Sequence, residues 1–334
     1  GPVSNCLRLR AEGRREGEGE LRRQGDRWFG HRRPGGRKAR RRMQRPGRSR
    51  DFVPPCMFFA AVGGFAKVLS EQMSSIEVVF FRNAVGLAIV LYAIYKRPPT
   101  HQKGGQLFVL MFRGFIGTIA LFALFYNIAH INLGAAYTFQ KTSPIFTAIF
   151  AAVFLKEALS KKGWGAIFLG FIGILFIIQP NLGISKTDWL GLGSGVGAAL
   201  AMLSVRTLRK SYDTSVIVLS FMAWGTALPM LLMGVAEWAR FEPLDFLLSP
   251  FVAPNFKGVI LIVLMGLAGY FFQFYMTKAY AASKKAGSVA AISYMDVVFS
   301  LVVGFFMGDT LPNAAAFFGI MLVVISGIIV ARER

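Results

Sequence analysis

The chain has 334 residues, of which 54% are hydrophobic and only 16% charged, and its mean hydropathy is +0.50. A soluble domain usually carries about 25% charged residues, so this composition excludes an ordinary soluble protein and indicates one that lies in a lipid bilayer. The 2 cysteines are too few for a disulfide framework, and the 3 histidines are isolated. We therefore expect neither a metal site nor a bound cofactor.

The net charge of +21 is concentrated at the N-terminus. Residues 1–50 contain 17 Lys and Arg against 5 Asp and Glu, with little that could be buried, which predicts a disordered basic arm. A non-native leader, an upstream extension or a cytoplasmic tether for anionic lipid would each explain this arm. Nucleic-acid binding is disfavoured because the run Arg40–Arg42 lacks regular aromatic interleaving. The arm has no apolar core, so it is not expected to be a cleaved signal peptide.

Ten apolar segments follow, and most have the roughly 20 residues that a helix needs to cross about 30 Å of hydrocarbon. Such lengths argue against an outer-membrane barrel, whose strands are about half as long. The predicted fold is an all-α integral membrane protein with ten transmembrane helices. In chain order the segments are Phe52–Ser70, Ile76–Tyr95, Gln106–Ala129, Ala135–Leu155, Gly163–Gln179, Trp189–Val205, Thr214–Val235, Phe256–Thr277, Gly287–Met307 and Pro312–Val330.

Lysine and arginine in the short loops predict the orientation, because these residues are concentrated on the cytoplasmic side. With both termini in the cytoplasm, the inner loops carry 11 of them and the outer loops 3. We therefore expect cytoplasmic N- and C-termini in a cell membrane, with a bacterial inner membrane preferred.

The two halves of the chain share a pattern. In each half a predicted helix is followed by an acidic residue, Glu157 or Asp309, and then by two glycines eight positions apart. Each half contains five segments, an odd number, so a repeated half would insert upside down. Inverted repeats of this kind recur in secondary transporters. The pattern predicts a 5+5 inverted repeat with halves at residues 51–183 and 184–334.

Short motifs occur in a fixed order along these segments. They are Glu77–Arg82, Arg113–Gly117, Thr142–Pro144 continuing to Leu155–Glu157, Tyr294–Asp296 and Gly308–Asp309. In order and spacing they resemble the drug/metabolite transporter superfamily, EamA type, over about 280 residues. Asp309 departs from that pattern, since Glu is commoner there. The resemblance implies a 5+5 inverted repeat around a central solute pathway lined mainly by helices 1, 3, 4, 6, 8 and 9. Members carry amino acids, nucleotides and their sugars, cofactors and other metabolites, and one similar subgroup includes bacterial carriers for S-adenosylmethionine.

Four ionisable residues fall inside the predicted spans, where a charge costs from about 3 to more than 10 kcal/mol unless it is paired or faces water. At about 1.5 Å per residue, Arg82 and Lys141 should lie roughly 9 Å below the outer edge, and Arg113 about 10 Å above the inner one. Asp296 should lie near the centre of the ninth span. A substrate-binding role is favoured for Lys141, Tyr294 and Asp296, because the fourth and ninth spans should face each other across the pathway. For Arg82 and Arg113, capping of helix ends or extension to the interface competes with such a role.

Other polar residues in the spans have two interpretations. Tyr126, Gln140 and Gln273 could add hydrogen bonds to a substrate or could join neighbouring helices. Lys67 lies within about a turn of its helix end and is expected to reach the interface on its apolar stem. Pro144, three residues after Lys141, is expected to kink the fourth helix.

These observations predict a secondary transporter, not an enzyme, that moves a small polar metabolite by alternating access, driven by protons or by a counter-solute. The cargo is expected to be an amino acid, a nucleotide-like compound or an organic anion, since the excess of buried cations favours a carboxylate or phosphate. Contact with membrane lipid is expected and contact with nucleic acid is not. Two alternatives stay open. A non-transporting scaffold should lack embedded charges and the repeat, and a lipid-modifying membrane enzyme would need nucleophiles or acid/base pairs near an interface.

Overall fold

The structure is a computed structural model and describes residues 53–100, 102–154, 160–178, 184–238, 249–282 and 295–333. The predicted basic arm, Glu157 and Tyr294 lie outside the described residues. Within these ranges the chain forms eleven α-helices and no β-strand. They are α1 (Val53–Leu69), α2 (Ser75–Lys96), α3 (Leu107–His130), α4 (Leu133–Gln140), α5 (Ser143–Phe154), α6 (Lys161–Ile178), α7 (Lys186–Leu208), α8 (Thr214–Ala236), α9 (Phe256–Ala282), α10 (Met295–Phe306) and α11 (Ala314–Glu333).

The helices have the length and polarity that a bilayer requires. Five of them, α2, α3, α7, α8 and α9, are long and apolar enough to span it, and shorter apolar stretches occur in α1, α10 and α11. Large apolar side chains such as Phe108, Phe168 and Phe306 are exposed, whereas Arg82 and Arg113 are buried. An apolar exterior around polar interior groups is expected where the surrounding solvent is lipid. The described part of the chain is therefore all-helical, and the protein is a multi-pass membrane protein.

Two helices begin at capping boxes, which explains where the chain enters them. The Ser74 side chain accepts a hydrogen bond from the Glu77 N–H at the start of α2, and the Glu77 carboxylate accepts one from the Ser74 N–H. Ser185 and Asp188 repeat this arrangement at the start of α7. Because each box satisfies donors that a helix start leaves unpaired, α7 begins at Lys186, three residues before the predicted segment.

The fourth predicted span is not one helix, and the expectation of a single helix over Ala135–Leu155 is wrong. A turn at Lys141 and Thr142 separates α4 from α5. Pro144 has no N–H to donate to the carbonyl of Gln140, the residue four positions earlier. The Thr142 hydroxyl donates instead to the Phe139 carbonyl oxygen at 2.6 Å. The expected kink at Pro144 is thus found as a break just before it.

Helices that are distant in sequence pack against one another. The most extensive contacts join α6 with α11 and α3 with α7, followed by α2 with α8 and α9 with both α1 and α2. Glycine permits the α6–α11 contact, since a Cβ on Gly173 would lie 2.8 Å from the Gly319 carbonyl oxygen. Helix α10 packs on α1 and α4, so the break in the fourth span lies beside α1 and α10.

Candidate functional site

Lys141 follows α4 at this break. Its backbone N–H donates to the Tyr137 carbonyl oxygen at 2.9 Å, which closes the last turn of the helix. A cation in this position is stabilised by the helix dipole, by about 0.3–1 kcal/mol when exposed and more when partly buried. The Lys141 ammonium also lies 5.3 Å from the centre of the Phe59 ring in α1.

Asp296 forms an ion pair with Lys141. The Asp296 side chain is fully buried, and 8% of the Lys141 side chain is exposed. The Cys56 thiol in α1 also interacts with the Asp296 carboxylate. The ion pair thus connects the end of α4 to α10, and the Cys56 and Phe59 side chains connect it to α1.

A cavity lined by charged, amide and many apolar side chains adjoins the ion pair. Its volume is about 80 Å³, and because one water molecule needs about 10–15 Å³ of such volume, several waters would fit. The lining includes five of the residues predicted for the site and a set of aromatic, methionine and hydroxyl side chains. The five are Arg82, Arg113, Gln140, Lys141 and Gln273, and the others include Phe59, Ser143, Met202, Phe221, Phe272, Met276 and Tyr280. In the described part of the chain, no group of three or more His, Cys, Asp or Glu comes together to hold a metal ion.

The two arginines of the cavity lie against one aromatic ring. The guanidinium carbon of Arg113 is 4.7 Å from the centre of the Phe221 ring, and that of Arg82 is 5.9 Å from it. Arg82 Nη1 donates to Asn83 Oδ1 at 3.0 Å, and its Nη2 lies 3.4 Å from the Gly269 carbonyl oxygen. Nε and Nη1 of Arg113 have no hydrogen-bond partner among the described residues. The two guanidiniums are therefore held differently.

Both glutamines predicted for the site line the central cavity, but neither of the two predicted tyrosines can be assigned to it. Gln140 is half-buried, and Gln273 is buried with its Nε2 3.3 Å from Thr277 Oγ1. Tyr126 lines a second cavity of about 180 Å³ and stacks on His130 with ring centres 4.0 Å apart. The structure therefore does not bring Tyr126 to the central cavity, and Tyr294 lies outside the described residues.

A second ion pair joins α1 to the turn after α10. Lys67 pairs with Asp309 and also donates to the Ile131 carbonyl oxygen at 3.2 Å. The other carboxylate oxygen of Asp309 accepts the Leu133 N–H at 2.8 Å. These side chains are 22% and 11% exposed, respectively. Sequence analysis did not predict this pairing of Lys67, and the expectation that Lys67 reaches the interface stays a prediction.

Sequence analysis missed Phe221, which lines the cavity, and Tyr137, which contacts the lining residue Phe59. Phe221 is one of 32 phenylalanines, so nothing in the sequence distinguishes the ring that both arginines contact. Tyr137 is fully buried and its hydroxyl donates to the Phe59 carbonyl oxygen at 2.5 Å. Tyr137 stands four residues before Lys141, a spacing that places two residues on one face of a continuous helix, and this was the available signal.

A positively charged cavity enclosed by a multi-pass helical bundle is typical of membrane transport proteins. Comparison with known proteins agrees with this class. The EamA-like transporter family matches residues 53–179. An uncharacterised transporter of Helicobacter pylori (strain J99) is 31% identical over 279 residues, covering 82% of this chain and 90% of the relative. The chain belongs to the EamA-like transporter family, which confirms the resemblance found in the motifs.

Two further similarities extend over most of the chain. The pseudopaline exporter CntI of Pseudomonas aeruginosa is 28% identical over 279 residues, covering 83% of this chain and 93% of the exporter. A protein of known crystal structure superposes with a TM-score of 0.55 at 16% identity, covering 83% of this chain and 95% of that protein. The structural similarity indicates a shared fold alone.

Proposed function

We propose that this chain is a secondary transporter that moves a small polar metabolite across the membrane by alternating access. The observation that carries the proposal is the buried ion pair of Lys141 and Asp296 beside a cavity that also contains Arg82 and Arg113. Charged groups are costly within a membrane, and those that persist there commonly mark solute or ion pathways. Gln140 and Gln273 complete the proposed substrate site, and a substrate-binding role for Tyr294, two residues before Asp296 in the sequence, stays a prediction.

The pairing of helices supports an inverted repeat with halves at residues 51–183 and 184–334. If the α4–α5 unit counts as one span, α1–α6 supply five spans and α7–α11 supply five. Taken in order, the counterparts are α1 and α7, α2 and α8, α3 and α9, the α4–α5 unit and α10, and α6 and α11. The contact between α3 and α7 then corresponds to the one between α9 and α1, and the contact between α2 and α9 corresponds to the one between α8 and α3. All four contacts occur. The contacts α6–α11, α2–α8 and α4–α10 each join a span to its own counterpart. A two-fold relation between halves is the simplest arrangement that gives this pattern.

The size of the cavity supports a cycle in which helices move. At about 80 Å³ it is smaller than the roughly 300–1,000 Å³ of typical ligand pockets. A metabolite would therefore enter only after the bundle opens on one side. The ion pair of Lys67 and Asp309 opposes opening at one end, and the turn at Lys141 and Thr142 provides a hinge, because helical hydrogen bonding is interrupted there.

The charged residues also bear on what drives transport and on how the chain is oriented in the membrane. Asp296 is the carboxylate that could accept a proton or a substrate amine when Lys141 moves away, which allows coupling to protons or to a counter-solute. Because the predicted inner loops are rich in Lys and Arg, we place both termini in the cytoplasm and prefer a bacterial inner membrane.

The test is uptake by purified protein in proteoliposomes. The vesicles are incubated with a uniformly ¹³C-labelled cell extract, with and without a pH gradient, and the contents are identified by mass spectrometry. We expect a small set of polar compounds to accumulate in a saturable, protein-dependent manner. If monodisperse protein gives no accumulation above protein-free vesicles under either condition, the transporter proposal is wrong.

A further inference from the structure

Arg113 is buried without the hydrogen bonds that a buried guanidinium normally makes. Only 1% of the residue is exposed, yet Nε and Nη1 have no acceptor among the described residues. Gly117, one turn later on α3, has no side chain and leaves space beside the Arg113 guanidinium. A Cβ at this position would lie 3.5 Å from Nη1. Buried donors without acceptors are costly, so an acceptor that is not part of the described chain is expected here.

Arg82 shows what a structural arginine in the same cavity looks like. It is equally buried, but the Asn83 side chain and the Gly269 carbonyl oxygen lie within reach of its two terminal nitrogens. Asn83 is in turn fixed by donating to the Val79 carbonyl oxygen at 2.8 Å. Both terminal nitrogens of Arg82 thus have acceptors and only its Nε has none, whereas Arg113 has two donors, Nε and Nη1, without an acceptor among the described residues.

The charges around the cavity do not balance. Lys141 and Asp296 neutralise each other, and neither Arg82 nor Arg113 forms an ion pair with any carboxylate of the described residues. Both guanidiniums contact the Phe221 ring, which stabilises a cation but accepts no directed hydrogen bond. The site is thus complementary to a ligand that brings negative charge.

We propose that Arg113 is the anion-binding residue of the transport site and that the cargo is an organic anion with a carboxylate or phosphate group. This rests on the proposed function and specifies its substrate class. The acid group accepts hydrogen bonds from the Arg113 guanidinium, whose planar array of donors matches carboxylate and phosphate oxygens. Arg82 adds attraction at longer range, and the rest of the cargo extends towards Lys141 and Gln273.

The first experiment needs no substitution. Compounds that accumulate from the labelled extract are sorted by charge, and each is offered to the wild-type protein in competition with its own methyl ester or amide. Loss of one charge-assisted hydrogen-bonding partner should weaken competition by about 10- to 100-fold. Accumulated compounds without an acid group, or esters that compete as well as the acids, would overturn the assignment while leaving the transporter proposal intact.

The second experiment tests the residue itself. In Arg113→Gln we expect KM for the acidic cargo to rise by about 10- to 100-fold, with Arg113→Lys intermediate because it retains charge but loses the planar array of donors. Arg97→Gln makes the same chemical change on an exposed residue at the end of α2 and should transport normally. Unchanged KM in folded Arg113→Gln overturns the inference, and absence of uptake by wild-type protein overturns the proposed function together with it.

Discussion

The buried ion pair permits a test that separates support of the fold from participation in transport. Asp296→Asn leaves the Lys141 ammonium without its partner, and Lys141→Met leaves the Asp296 carboxylate alone in a fully buried position. The double variant removes both charges at once. Stability and transport should respond differently across these three proteins.

The magnitudes follow from the cost of an uncompensated charge. Breaking a buried ion pair from one side typically lowers the free energy of unfolding by about 3–5 kcal/mol. Removing both charges should lower it by only about 1–3 kcal/mol, because an unpaired amide costs less to bury than an unpaired ion. The double variant is therefore expected to be more stable than either single variant.

Unfolding is measured by detergent titration in mixed micelles, and flux is measured in proteoliposomes with the cargo found in the extract. We expect all three variants to transport at least about 10-fold more slowly, which corresponds to 1.4 kcal/mol or more in the barrier. A double variant that regains both stability and wild-type flux would refute a transport role, because the pair would then serve only the fold. Wild-type stability in the single variants would refute the burial argument itself.

Two other sites give independent predictions. Gly173→Ala should destabilise the protein by about 1–3 kcal/mol, because a new Cβ would meet the Gly319 backbone. A Cβ at Gly165 on the same helix would have nothing within 4 Å, so Gly165→Ala should be neutral or stabilising by up to about 1 kcal/mol. Equal effects of the two substitutions in a denaturation series would contradict the packing of α6 on α11. Asp309→Ala removes the acceptor of the Leu133 N–H, so hydrogen exchange at the start of α4 should accelerate while that of α6 stays constant; unchanged exchange in α4 would contradict a closing role for this network.

The spans were predictable because hydropathy reports directly on the solvent that a helix faces. Described helices such as α1 and α8 begin and end within a few residues of the predicted segments. The break in the fourth span was harder, because Pro144 signals a lost hydrogen bond but not which residues leave the helix. The structure shows that Lys141 is one of them.

Charged residues of the site could be predicted, because a charge is costly in lipid and therefore stands out in an apolar segment. Apolar residues of the site could not, because they are common in every span. Lys141 and Asp296 stood out as charges in two spans expected to face each other. Phe221 did not, since one phenylalanine among many carries no signal of position. The partner of Lys67 was missed because a lysine near a helix end usually reaches the interface, and Asp309 lies 242 residues away in the sequence.

In both ion pairs of the described residues the carboxylate lies in α10 or shortly after it, but the two pairs differ in burial. Asp296 belongs to α10 and Asp309 follows it, whereas Lys141 and Lys67 belong to the first half of the chain. The side chains of Lys67 and Asp309 are 22% and 11% exposed, so water can compensate in part when this pair separates, whereas the buried pair costs about 3–5 kcal/mol to break from one side. The end of α10 beside Asp309 is therefore expected to separate from α1 more easily than the end beside Asp296. Separation at Asp296 needs a replacement charge, such as an acid group for Lys141 or a proton for Asp296. For the proposed transport cycle this difference predicts that the end beside Asp309 opens before the buried pair breaks.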